Sequence, residues 1–332
     1  MLVVTLLTAG CGCSSKPATN GGSGPHAGSE AGRLSGGIPK IVERVEPEVV
    51  TILTQNGGVG SGVIYQAGGV ILTNEHVVRG QSVVEVAFAD GRRQRGEVTA
   101  SDADTDLALV RVDRKGLPAA SFQTKLPPVG ALAVVLGSPL GFEKSVTAGI
   151  VSGLHRSIPG SASESRALVD LMQTDAPISP GNSGGAVVDG QGRVVGISEA
   201  YIPPEQGAVA IGFAIPAATA VDVARQLLGN GRVEHAFMGV QPAQLTPGQA
   251  RQLGLQQATG VLVYGVTPTG PAARAQIRPG DVITAIAGEP LESVEDMFAQ
   301  LRRHRPGQSV RVELLRDGNR MTAQVRLSAK PQ

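Results

Sequence analysis

Tryptophan is absent from the 332-residue chain, and its aromatic residues are 3 Tyr and 6 Phe. Cysteine is almost absent too. The 2 that occur, Cys11 and Cys13, sit near the start, so the rest of the chain can form neither an internal disulfide nor a cysteine-based metal site. Charge of one sign is missing: 29 basic residues face 28 acidic ones, a net +1 that gives no electrostatic case for nucleic acid. No Walker-type phosphate loop occurs, so nothing points to ATP, and no internal repeat relates the two halves. The one apolar opening, Met1–Gly10, is too short to cross a bilayer, which takes about 20 residues. What the chain does have is glycine, 45 residues of it, with 22 prolines and 41% hydrophobic residues. That apolar content excludes wholesale disorder and a collagen-like repeat. Glycine with few aromatics favours many short strands and turns over long helices. The length fits about two domains, at about 150 residues each.

The first 37 residues stand apart. Met1–Gly10 reads as the tail of a signal-peptide apolar region, although the usual positive start is missing. Leu7-Thr8-Ala9-Gly10-Cys11 resembles a bacterial lipobox, which makes Cys11 a lipidation candidate. An ordinary signal sequence is the alternative, and a cytosolic start is the least favoured reading. Ser14 to Gly37 is rich in Ser, Gly and Pro and reads as a flexible tether.

From Ile38 the pattern predicts a first domain over 38–230. Helix-compatible spacing over Ile38–Val49 is followed by β-branched runs broken by glycine. These predict strands at Val49–Thr54, Gly60–Tyr65, Val70–Thr73, Val83–Phe88, Gly96–Ser101 and Leu107–Val112. Further strands are predicted at Ala131–Leu136, Ser145–Leu154, Gly184–Asp189, Val194–Ser198 and Ala210–Ala214. Many short strands with regular turns indicate an antiparallel sandwich or barrel. A helix over Ala217–Leu228 stops at Gly229-Asn230-Gly231. A second unit spans 233–328, with strands at Gly260–Val266, Asp281–Ala287, Val310–Arg316 and Met321–Leu327. Its predicted helices are Pro247–Leu253, Pro271–Ala275 and Ser293–Arg303.

Pro180-Gly181-Asn182-Ser183-Gly184-Gly185 is the strongest local signal. A serine hydroxyl becomes a nucleophile only with a base to take its proton and donors to hold the oxyanion. Flanking glycines allow the sharp turn that would expose Ser183 and free its neighbouring amides; alone, the hexapeptide is also compatible with a plain glycine turn. Five histidines compete as base. His26 lies in the tether, His304 in the charged run Arg302–Arg305, His235 in the hinge, and His155 has no supporting pattern. His76 follows the apolar run Val70–Leu72 where strand meets loop, and pairs best with Ser183. Asp102, Asp104 and Asp106 compete as the carboxylate that orients the imidazole. Only Asp106 abuts the core run Leu107-Ala108-Leu109-Val110, whereas Asp102 and Asp104 read as turn residues. The chain order His, Asp, Ser is that of chymotrypsin-like double barrels.

Leu72-Thr73-Asn74-Glu75-His76-Val77-Val78, Asp106-Leu107-Ala108-Leu109, the run Gln173 to Gly185 and Ile211-Gly212-Phe213-Ala214-Ile215-Pro216 together resemble the HtrA (DegP/DegS/DegQ) serine proteases. The resemblance covers about Ile38 to Leu327. It implies a mainly β fold, a chymotrypsin-like double β-barrel followed by a small α+β PDZ domain. It implies His76 as general base, Asp106 as its orienting group and Ser183 as nucleophile, with the Gly181 and Ser183 amides forming the oxyanion hole. Ile197, Ser198, Tyr201, Ile211 and Phe213 are expected to frame an apolar pocket for small aliphatic P1 residues. The family usually has Asn-Thr where this chain has Ser198-Glu199, a departure at the pocket edge. Asn182 stands where digestive relatives have Asp, so activation by a freed N-terminus is not expected. Arg156 matches the loop arginine through which the family couples peptide binding to the active site, although Ile158–Arg166 departs from the family pattern.

Ala236-Phe237-Met238-Gly239-Val240 and Gly280-Asp281-Val282-Ile283 resemble an HtrA-type PDZ domain. There a peptide C-terminus adds as a strand and backbone amides, here at Phe237, Met238 and Gly239 with Val240 beginning the strand, hold its carboxylate. One such domain fits before Gln332, a DegS-like layout. The short connection Gln55–Gly60 favours a plain homotrimer over larger cages.

The resulting expectation is an ATP-independent serine endopeptidase of the bacterial envelope or periplasm. It needs no cofactor or metal, binds no nucleic acid, takes unfolded or misfolded proteins and peptide C-termini as partners, and attaches to the membrane if Cys11 is lipidated. The alternative is a PDZ-based peptide sensor or chaperone with little or conditional proteolysis. A lipid-anchored structural protein explains the N-terminus but none of the motifs.

Overall fold

The computed structural model describes residues 30–137, 145–158, 168–201, 211–252 and 259–331. Cys11 and the lipobox-like segment lie outside the described residues, as does most of the loop after Ile158. The helix α1 spans Glu30–Val45 and is followed by a 3-10 turn, Glu46–Glu48. It therefore begins inside the span read as a flexible tether and ends before the predicted Val49. Ser and Gly content alone did not register the helix-compatible Ala31 and Leu34. Among the described residues no helix is long and apolar enough to cross a membrane.

Six strands close the first barrel: β1 (Val49–Leu53), β2 (Val59–Gln66), β3 (Val70–Thr73), β4 (Val83–Ala87), β5 (Arg93–Asp102) and β6 (Leu107–Val112), in the order β1-β2-β3-β6-β5-β4. A one-turn helix, α2 (Glu75–Val78), sits between β3 and β4. The second barrel comprises β7 (Leu132–Gly137), β8 (Ser145–Arg156), β9 (Leu171–Thr174), β10 (Ala186–Val188), β11 (Val194–Tyr201) and β12 (Gly212–Pro216), in the order β10-β11-β12-β9-β8-β7. The expected double β-barrel is therefore present, closed so that neither sheet has an exposed edge. The strand the sequence pattern missed is β9, whose four residues Leu-Met-Gln-Thr alternate too little to register; it is held by pairing with β8 and β12.

Alternation explains the packing. Ile52, Ile64, Ile71 and Val110 face the interior of the first barrel, and Val135, Val151, Met172 and Val187 that of the second. The opposite faces of the same strands meet between the barrels. There Val63, Leu72, Leu109, Leu136, Leu171 and Ile197 form one cluster with Ile41 and Val45 of α1. The helix α3 (Ala217–Asn230) adds Ala220, Val223, Ala224 and Leu227 to it. Each such fully buried aliphatic side chain contributes about 1.5–3 kcal/mol. This shared layer is what holds the two barrels in register. The Gly231 amide closes α3 onto the Leu227 carbonyl at 3.0 Å with φ +69°, a left-handed cap that glycine adopts without strain.

The C-terminal unit contains β13 (Ala236–Phe237), β14 (Val240–Gln244), α4 (Pro247–Gln252), β15 (Val261–Val266), α5 (Pro271–Arg274), β16 (Val282–Ile286), β17 (Glu289–Pro290), α6 (Val294–Arg302), β18 (Ser309–Arg316), β19 (Asn319–Arg326) and β20 (Ser328–Ala329). Its main path runs β14-β15-β16-β18-β19, leaving β14 at an edge. A capping box of Ser293 and Asp296 starts α6.

Several polar contacts join this unit to the barrels. His235 Nε2 meets Asp102 Oδ1 at 2.8 Å. Arg302 of α6 donates to the Val169 carbonyl at 3.1 Å and also to the Asp104 carbonyl. Burial lowers the Arg302 pKa, against the pull of Asp102, Asp104, Asp170 and Glu199. Asp102 and Asp104, read from sequence as turn residues, are also interdomain contacts: Lys330 binds Asp104 at 2.7 Å.

Candidate active site

The register Thr73↔Ala108 carries β3 and β6 side by side to the same end of the first barrel. Asn74 and α2 follow β3 there, and Asp106 immediately precedes β6. The turn that delivers Asp106 is built by Asp102, whose Oδ2 accepts the Thr105 amide at 3.0 Å. Asp106 has φ 54°, left-handed, and is fully buried. Its carbonyl accepts the Glu75 amide at 3.1 Å and Asn74 Nδ2 at 2.9 Å, which fixes the turn against α2.

Asp106 Oδ1 accepts the His76 amide at 2.9 Å, while Oδ2 faces Nδ1 of the His76 ring in a short hydrogen bond. The His76 side chain is 30% exposed, so Nδ1 is turned inward and the ring retains access to solvent. Arg79 pairs with Glu75 and lies 4.0 Å from Asp106 Oδ1.

Ser183 comes from the other barrel, in the turn before β10. The first barrel holds that turn through one residue, Ser61 of β2. The Ser61 amide donates to the Ser183 carbonyl at 2.8 Å, and its hydroxyl donates to the Gly181 carbonyl at 2.7 Å. Thr73 in turn donates to the Ser61 carbonyl at 2.6 Å. Sequence reasoning did not single out Ser61, because nothing local marks a serine whose partners lie 120 residues away.

Two glycines shape the turn. Gly181 has φ +97° and Gly184 φ +84°, and a Cβ on Gly184 would overlap the Ser61 carbonyl oxygen and Thr73 Oγ1. Within the turn, Asn182 donates to Ser179 O at 2.9 Å, Gly184 to Ser198 O at 2.9 Å and Gly185 to Asn182 O at 2.8 Å. Among the described residues the Gly181 and Ser183 amides donate to no backbone carbonyl. These are the two amides expected to hold an oxyanion. The Ser183 hydroxyl is directed at the Glu199 carbonyl, 3.1 Å away. Asn182 is buried, and its Oδ1 has no hydrogen-bond partner among the described residues.

Glu199 is the residue whose importance the sequence reading understated. It is buried, accepts Asn74 Nδ2 on Oε2 at 2.5 Å, and places Oε1 3.9 Å from His76 Nδ1. Donor atoms of His76, Asp106 and Glu199 all lie within 4.8 Å of one another, the one such group among the described residues with metal-ligand chemistry.

The expected pocket is only partly formed by the residues assigned to it. Ile197 has no exposed surface and belongs to the inter-barrel cluster, and Phe213 is 5% exposed in the same cluster. Ile197 alternates to the core side of β11 and so is no pocket wall. Ser198 is buried with its hydroxyl on the Asn182 carbonyl at 2.5 Å. Ile211 packs, partly buried, on the same cluster, and the Tyr201 side chain lies outside the described residues. Arg156 is exposed at the end of β8.

In the C-terminal unit, Phe237, Met238, Gly239 and Val240 line one side of a groove of about 310 Å³. Met297, Phe298, Leu301 and Arg302 of α6 line the other, with Lys330 and Asp104 at its border. Gly239 has φ +82°. Among the described residues the Met238 and Gly239 amides donate to no backbone carbonyl.

Comparison with known proteins agrees with this architecture. Residues 60–197 match the family model "Trypsin-like peptidase domain" and residues 236–327 match "PDZ domain". A putative serine protease HhoB from Synechocystis sp. is 37% identical over 285 residues, 83% of this chain and 65% of the relative. A probable periplasmic serine endoprotease DegP-like from Pseudomonas savastanoi pv. phaseolicola is 36% identical over 82% of this chain and 56% of the relative. The chain thus spans less than two thirds of the length of these curated relatives. Among solved structures, an HtrA-type protease AlgW with tripeptide matches with TM-score 0.73 at 36% identity, covering 89% of this chain and 97% of that one. A serine endoprotease from Yersinia pestis matches with TM-score 0.66 at 32% identity, covering 88% and 98%.

Proposed function

The chain belongs to the HtrA/DegP-like family of serine proteases, and from that premise we propose that it is an ATP-independent endopeptidase cleaving unfolded or damaged proteins in the bacterial envelope. One observation carries the reading. A partly exposed imidazole, bonded through Nδ1 to a buried aspartate, stands beside a serine turn whose Gly181 and Ser183 amides have no backbone acceptor among the described residues.

In this reading Ser183 turns from the Glu199 carbonyl to His76 Nε2, which takes its proton as the oxygen attacks the peptide carbonyl. The carbonyl oxygen becomes an anion held by the Gly181 and Ser183 amides, a contribution of about 10²–10³ in rate per donor. Asp106 keeps Nδ1 protonated and stabilises the imidazolium. His76 then gives its proton to the leaving amine; it next takes a proton from water, which attacks the acyl-enzyme, and returns that proton to Ser183 as the ester bond breaks. Since the expected pocket walls are mostly apolar and carry no Asp placed to pair with a basic side chain, small aliphatic P1 residues such as Val, Ala or Ile are preferred.

A peptide C-terminus fits the groove between β14 and α6. The free edge of β14 supplies a strand partner, the Met238 and Gly239 amides meet the carboxylate, and Arg302 and Lys330 favour its charge. A homotrimer remains part of the reading. Its support is the tight β1–β2 connection, closed by Thr54 donating to the Gly58 carbonyl at 2.9 Å. The periplasmic names of the relatives support an envelope location. The reading also keeps Cys11 as lipid anchor, on its lipobox-like context, and Arg156 as the coupling residue, on its place in the motif.

A second reading, a PDZ sensor with conditional proteolysis, is favoured by one specific observation: the Ser183 hydroxyl is engaged by the Glu199 carbonyl. Incubation with reduced, unfolded casein without ATP, with and without C-terminal peptides, separates the two. Cleavage by the wild type and none by Ser183→Ala supports the first. Cleavage only with peptide supports the second, and none under either condition removes both as proteases.

A further inference from the structure

Glu199 lies at the bulge where β11 and β12 shift register between Ser198 and Ala200, and its side chain is 2% exposed. A buried carboxyl group must be hydrogen bonded or neutralised. Here one Asn74 side-chain amide does two jobs, donating to Glu199 Oε2 at 2.5 Å and to the Asp106 carbonyl at 2.9 Å. Glu199 Oε1 then stands 3.9 Å from His76 Nδ1, the ring nitrogen that also faces Asp106. The imidazole therefore has two buried carboxyl groups on its Nδ1 side, where orientation and charge stabilisation require only one.

We propose that Glu199 is a positioning residue for His76, supplying a second counter-charge to the imidazolium that forms as Ser183 loses its proton. The proposal rests on the triad reading above. An imidazolium beside two carboxyl groups in a dry site favours the charged form of both. Other charges face the group from each packed element. Glu75 and Arg79 lie on α2, with Arg79 4.0 Å from Asp106 Oδ1. From α6, the partly buried Arg302 acts on Glu199 as well as on Asp102, Asp104 and Asp170.

The functional consequence has a definite sign. An extra negative charge beside Nδ1 stabilises the imidazolium that forms as Ser183 loses its proton, and so raises kcat. Glu199 faces the ring rather than the cleft, so KM is unaffected.

The test is steady-state kinetics of the full chain on a peptide substrate. Glu199→Gln, which removes the counter-charge but keeps the hydrogen-bonding shape, lowers kcat about three- to tenfold with KM within twofold. Glu199→Asp, which keeps a shortened carboxyl, restores part of kcat. An unchanged kcat in Glu199→Gln, or a loss carried by KM, overturns the proposal. If Glu199→Gln does not fold, Glu199→Asp decides: a partial loss in kcat at unchanged KM is expected, and no loss or a KM effect overturns the proposal. Failure of the triad reading is separable, because Ser183 of the wild type then resists fluorophosphonate.

Discussion

Asp106 holds His76 at two atoms, accepting the backbone amide on one carboxylate oxygen and facing the ring Nδ1 with the other. The first contact sets where the residue sits and the second sets which way the ring points. Asp106→Asn keeps the backbone contact but presents an amide to Nδ1, which favours the wrong tautomer. We expect kcat to fall by about 10³–10⁴ with KM little changed. Steady-state kinetics on a peptide substrate checks this.

Substrate preference follows from mostly apolar expected pocket walls with no Asp placed to pair with a basic side chain. Sequencing the cleavage products of an unfolded protein should give Val, Ala or Ile before most scissile bonds. A majority of Arg or Lys would contradict the pocket assignment.

The interdomain contact of Asp102 with His235 has a pH signature. Burial pushes the Asp102 carboxyl up, but the hydrogen bonds and charge of His235, with those of Thr105, more than offset it and leave the pKa below 3.8. A depressed carboxylate adds stability above its unfolded pKa, and that stability is lost as pH falls through the folded value. Asp102→Asn should therefore cost about 1–3 kcal/mol at pH 7. Below about pH 4 its deficit should close, as read by urea denaturation across pH.

Glu48 has the opposite sign. Burial raises its pKa from 4.5 to about 7, partly countered by Arg44, and its Oε2 has no hydrogen-bond partner among the described residues. The folded chain then binds more protons than the unfolded one between these values, so stability falls as pH rises through about 7. Glu48→Gln should match the wild type below pH 4.5 and exceed it by about 1–2 kcal/mol at pH 8, after allowance for solvent screening. Thermal melts at both pH values check it.

The barrels were largely readable because strand alternation and glycine turns are local patterns. Leu107–Val112 and Val70–Thr73 were placed to the residue. His76, Asp106 and Ser183 could be picked out because each lies at the junction of an apolar run and a turn. What escaped is what depends on distant pairing. The strand Leu171–Thr174 exists through β8 and β12, and Ser61 matters through Gly181 and Ser183. Glu199 looked like an altered pocket edge; only the fold brings its side chain to His76. Ile197 was assigned to the pocket because β11 passes it, yet the two-residue period of the strand turns it into the core.

The central claim is that Ser183 is a nucleophile armed by His76. Intact-mass and tandem mass spectrometry after fluorophosphonate treatment tests it most directly. The account predicts one adduct per chain, located on Ser183, formed rapidly in the wild type and slowed at least about 10³-fold in His76→Ala. An adduct on another serine, or equal labelling of Ser183 without His76, would contradict it.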